Sequence, residues 1–91
     1  MQPIDPIIQQ HRDGIADLDR QILALLEERI RRVRDLKGLK AQRDMPFHDP
    51  GQEARVLDTL RTQRSGDLSE EGLEALFTQI IHWSKREAAR D

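Results

Sequence analysis

The sequence has no cysteine, which excludes disulfide bridges and thiolate metal sites and leaves the redox compartment open. Its three histidines, at positions 11, 48 and 82, fall at no ligand-like spacing. Aromatics are scarce and β-branched residues few, and no stretch alternates with period two, so nothing points to strands. No apolar run is long enough to span a bilayer. The start "MQPIDPIIQQ" lacks both a basic opening and an apolar signal core, so the expected location is the cytoplasm, with no membrane partner. A net charge of −2 argues against a general nucleic-acid binder, although residues 29 to 43 carry seven basic groups.

What is present is helical spacing, three times over. The 91 residues make one small domain, 1–91, and a chain this short is marginal unless it is stapled, metallated or oligomerised. The first segment opens at Asp5-Pro6, a cap followed by a first helical position. Its stripe runs Ile8, Ile15, Leu18, Ile22, Leu25, Arg29, Val33 and Leu36, with Gly14 and Gly38 too isolated to stop it. The second segment starts at Asp49-Pro50, where Gln52 completes a capping-box pattern and Val56, Leu57 and Leu60 give the apolar side. The third begins after Asp67 or Ser69 and places Leu73, Phe77, Ile80, Ser84 and Ala88 on one stripe. The expected linkers are residues 44–48 and 64–68, and the fold class is all-α.

The first helix is too long for a monomer. From Asp5 to about Arg43 it would run on the order of 55–60 Å, whereas a compact domain of this size spans about 30–35 Å. Two short helices cannot cover that stripe. A second copy related by a two-fold axis can, which makes an entwined homodimer the expected assembly.

Arg29 and Lys40 sit where this stripe should be apolar. Eleven residues apart, they point in nearly the same direction with their Cα atoms about 16 Å apart, and Val33 and Leu36 lie between them. An arginine so placed has two readings: it pairs with a nearby glutamate or snorkels to water, or it belongs to a preorganised site for a small molecule with more than one carboxylate. Arg12, rotated about a quarter turn from Arg29, cannot join the same site within one helix but can reach that of a partner chain.

The stretches "RDGIADLDRQILALLEERIRRVRDLKGLK", "MPFHDPGQEARVLDTL" and "LSEEGLEALFTQIIHWS" resemble the all-helical class of chorismate mutases over nearly the whole chain. The most specific features are Arg12 followed by "IADLDRQILALLEER", Lys40 eleven residues beyond Arg29, and the P-x-x-D-P-x-x-E pattern from Pro46 to Glu53. The resemblance implies an isomerase converting chorismate to prephenate by an intramolecular [3,3] rearrangement. It implies no cofactor, a dicarboxylate substrate, and a place in phenylalanine and tyrosine or related biosynthesis. Such a site works by holding a chair-like conformer and setting fixed donors where charge develops on the ether oxygen.

By the same resemblance, Arg29 grips one substrate carboxylate, and Arg12 is donated across the dimer to the other. Lys40 reaches a carboxylate and the ether oxygen, Glu53 accepts from the ring hydroxyl with Asp49 beside it, and Ser84 lies near a carboxylate. Lys40, Glu53 and Arg29 are then the catalytic set, and Val33, Leu36, Gln52 and Ala88 line the pocket. Plainer roles exist for several: Asp49 is a good N-cap, Glu53 suits a helix N-terminus, and Ser84 is small enough for close packing. His82 and Trp83 read as surface and packing residues, and Arg31, Arg32, Arg34 and Arg43 as a solvated or steering face.

Two departures stand out. Ala88 occupies the place where the family carries Gln or Glu donating to the ether oxygen, and Gln52 replaces an arginine. Losing one such donor can cost roughly 10²–10³ in rate. These changes suit a weak mutase or one completed by an activating protein partner. They also suit a 4-amino-4-deoxychorismate mutase, an isochorismate-pyruvate lyase, or a non-catalytic regulatory or dimerisation domain.

Overall fold

A computed structural model describes residues 5–90. They form three helices, α1 (Pro6–Gln42), α2 (Pro50–Gln63) and α3 (Glu70–Ala88), joined by short loops. Each helix begins where a side chain can satisfy its free N–H groups. The Asp5 carboxylate accepts from the amides of Ile7 and Ile8, at 2.9 and 3.4 Å. Asp49 accepts from Gln52 at 3.1 Å, and Ser69 rather than Asp67 caps α3, accepting from Gly72 at 3.0 Å. The expected capping box on α2 is half formed, because the Gln52 side chain accepts from Arg55 Nε at 3.1 Å instead of turning back to the cap.

The end of α1 is equally local in origin. Asp44 adopts φ 53°, and the amides of Asp44 and Met45 donate back to Ala41 and Lys40, at 3.3 and 2.8 Å. This is the Schellman pattern of bonds, with aspartate in the left-handed position that glycine usually fills. It reverses the chain just after Lys40 and brings Phe47 back over the helix. The Lys40 ammonium donates to the Phe47 carbonyl at 3.4 Å, and Lys37 stands 5.9 Å from the centre of the Phe47 ring.

Both α1 and α2 pack on α3, which carries the core. Leu73, Ile81, Ser84 and Ala88 are buried, and all four belong to α3. Ile81, not the expected Ile80, carries the middle of this stripe. Arg61 near the end of α2 ties that helix to α3 through Glu70 and Glu74, each at 3.5 Å. No helix is long and apolar enough among the described residues to cross a membrane.

Nothing in α1 is buried. Ile15, Leu18, Ile22 and Leu25 stay more than half exposed along its N-terminal half. The chain extends 63 Å with a radius of gyration of 17.7 Å, against about 12 Å for a compact domain of this length. The apolar stripe along the N-terminal half of α1 is thus largely unused within one chain.

Candidate active site

Where α1, α2 and α3 converge they enclose an open cleft of about 510 Å³. From α1 come Arg29, Val33, Leu36 and Lys40, successive members of one face of the helix. The loop after α1 adds Phe47 and Asp49, α2 adds Gln52, Glu53 and Val56, and α3 adds Ile81 and Lys85. Arg29 and Lys40 therefore stand at two ends of an apolar floor, and the carboxylates of Asp49 and Glu53 line the same cleft.

Among the described residues, neither Arg29 nor Lys40 forms an ion pair. Arg29 is partly buried, and this desolvation lowers its pKa below the ordinary value. The charged guanidinium therefore loses hydration without gaining a counter-charge. An anionic ligand would supply what is missing, with a fork geometry suited to carboxylate. The pairing with a glutamate that an isolated stripe arginine would be expected to make does not occur.

Glu53 is differently placed. Its Oε1 accepts a charge-assisted hydrogen bond from Lys85, and the same ammonium donates to His48 Nδ1 at 3.0 Å. Asp49 serves as the α2 cap while lining the cleft, so its structural and site positions coincide.

Seven sequence-predicted positions thus meet in one cleft: Arg29, Val33, Leu36, Lys40, Asp49, Gln52 and Glu53. Three others do not line it. Ser84 is buried, and its hydroxyl donates to the Ile80 carbonyl at 2.6 Å. Ala88 is buried on the same side of α3, one helical turn further on. Arg12 is exposed on α1, about 25 Å along the helix from Arg29. Within one chain it contributes nothing to the cleft.

Lys85, Phe47, Val56 and Ile81 were not singled out as site residues from sequence. Lys85 lies one turn after Ile81, whereas the family motif falls on Ser84 and Ala88. Phe47 had no local signal, since its position follows from the turn at Asp44.

Comparison with known proteins agrees with this architecture. Relatives include the bifunctional chorismate mutase/prephenate dehydratase of Neisseria gonorrhoeae, 31% identical over 83 residues. That match covers 88% of this chain but only 22% of the relative, so the chain spans about a fifth of that protein's length. Chorismate mutase (form II) from Thermus thermophilus superimposes with a TM-score of 0.86 at 32% identity, covering 92% of this chain and 97% of that one. The family model described as chorismate mutase type II matches residues 11–89. With residues 11–89 matched by the family model, this chain belongs to the type II chorismate mutase family.

Proposed function

We propose that the chain is a chorismate mutase that rearranges chorismate to prephenate and works as a homodimer. The observation that carries this reading is the half-buried Arg29, unpaired among the described residues, in a cleft shared with Lys40. Two cations at either end of an apolar floor suit a rigid dicarboxylate better than they suit any protein partner. The substrate's breaking ether bond gathers negative charge, and Lys40 is the donor placed to meet it. Val33, Leu36, Val56 and Ile81 give the bound substrate an apolar wall, which lowers the local dielectric and strengthens each charged contact. Glu53 accepts from the ring hydroxyl, and Asp49 borders the same end. Because bonds break and form within one molecule, holding the reactive conformer supplies much of the catalysis.

The dimer rests on area as well as pattern. The chain exposes 7783 Å², about 2,300 Å² more than a compact 10.6 kDa chain should. Stable obligate interfaces bury about 2,000–5,000 Å² in total. A second copy lying along α1 would cover Ile15, Leu18, Ile22 and Leu25 and bring its Arg12 toward this cleft.

The test is chorismate disappearance followed by ultraviolet absorbance, with the product identified by chromatography. Prephenate from the wild-type chain, lost in Arg29→Ala while that variant stays a folded dimer, is the expected result. A folded wild-type chain that neither consumes chorismate nor binds its analogues would overturn the proposal.

A further inference from the structure

Lys85 is the one cation of the cleft whose charge is already answered. Among the described residues, Arg29 and Lys40 lack carboxylate partners, whereas Lys85 on α3 pairs with Glu53 on α2. The pair is partly screened from water, with side chains 27% and 32% exposed, and His48 holds the ammonium from a third direction. Glu53 and Lys85 also border a second cleft with Leu57 and Thr78, so the pair forms the wall between two hollows.

We infer that Lys85 determines which ring substituent the site accepts: by neutralising Glu53 it admits a hydroxyl there and turns away an ammonium. This inference rests on the mutase reading and on Glu53 meeting the ring substituent. A hydroxyl needs only an acceptor, and a carboxylate holding one lysine still has free lone pairs for it. An ammonium needs net negative charge to offset its lost hydration; Glu53 no longer offers any, and Asp49 at the same end is committed to the α2 cap and stands 4.0 Å from Arg55. Such a group would also approach the Lys85 ammonium, a like-charge contact that partners of this kind avoid.

The charges of the site agree. Arg29, Lys40 and Lys85 oppose Asp49 and Glu53, leaving one positive charge, and an arginine from a second copy makes two. A dianion balances this site. A ligand with two carboxylates and one ammonium, such as 4-amino-4-deoxychorismate, would balance it only without Lys85.

The test compares kcat/KM for chorismate and 4-amino-4-deoxychorismate in the wild type, Lys85→Gln and Lys85→Arg, with circular dichroism to confirm folding. The wild type should prefer chorismate, Lys85→Gln should shift the ratio toward the amino substrate by about 10- to 100-fold, and Lys85→Arg should keep the wild-type preference. A general loss of packing would lower both substrates together and leave the ratio alone. Chorismate turnover with an unchanged ratio in folded Lys85→Gln overturns this inference and leaves the mutase reading standing. A wild type inactive on both substrates overturns both.

Discussion

Arg29 and Lys40 project from the same face of one helix into one cleft, and neither forms an ion pair with a described carboxylate. Burial disfavours the charge on Arg29. The folded protein therefore carries a cation that the isolated chain would hydrate better. On the proposed function, a dicarboxylate ligand supplies the missing counter-charge.

Replacing that cation should separate stability from binding. Arg29→Met keeps most of the side-chain volume and removes a partly desolvated charge. Its Tm should equal or exceed that of the wild type, while affinity for a dicarboxylate analogue falls by at least about tenfold, since charged hydrogen bonds typically contribute about 1.5–3 kcal/mol. Calorimetric titration and thermal melts measure the two separately. A large drop in Tm would mean that Arg29 holds the fold together.

The position of Arg12 gives a test of the dimer. Arg12→Ala and Arg29→Ala should each be inactive alone, yet mixing them after partial unfolding should restore activity. A mixed dimer has one site with both arginines and one with neither, so statistical pairing leaves about a quarter of all sites intact. No recovery from mixed, refolded dimers would mean that Arg12 does not act across subunits.

Position 84 and position 88 should behave as packing sites. The Ser84 hydroxyl is committed to the Ile80 carbonyl, so Ser84→Ala should cost about 1 kcal/mol of stability and change KM only slightly. Ala88→Gln forces a larger polar side chain into a buried place and should cost about 1–3 kcal/mol. A rise in kcat for Ala88→Gln without loss of stability would show that position 88 reaches the reacting centre.

The turn at Asp44 should respond to backbone chemistry alone. At φ 53°, Asp44→Gly removes the Cβ penalty and should be neutral or stabilising by up to about 1 kcal/mol, whereas Asp44→Val should destabilise by more. Urea titrations of the two variants check the order. Equal midpoints would mean that the turn relaxes freely, and that Phe47 is not fixed by it.

The three helices are legible in the chain's local pattern, because caps and prolines act within a few residues and the apolar period is local. Asp5-Pro6 and Asp49-Pro50 mark their helix starts with no help from the rest of the chain. The spacing of Arg29, Val33, Leu36 and Lys40 also fixed that they share a face, since a helix leaves them no alternative. What met that face depended on how the helices pack. Glu53 and Lys85 are 32 positions apart and belong to different helices, so their pairing depends on how α2 settles on α3. The same packing turned Ser84 inward and Lys85 toward the cleft, although the two are neighbours in sequence. A rotation of about 100° per residue is known from sequence, but the direction of the cleft is not.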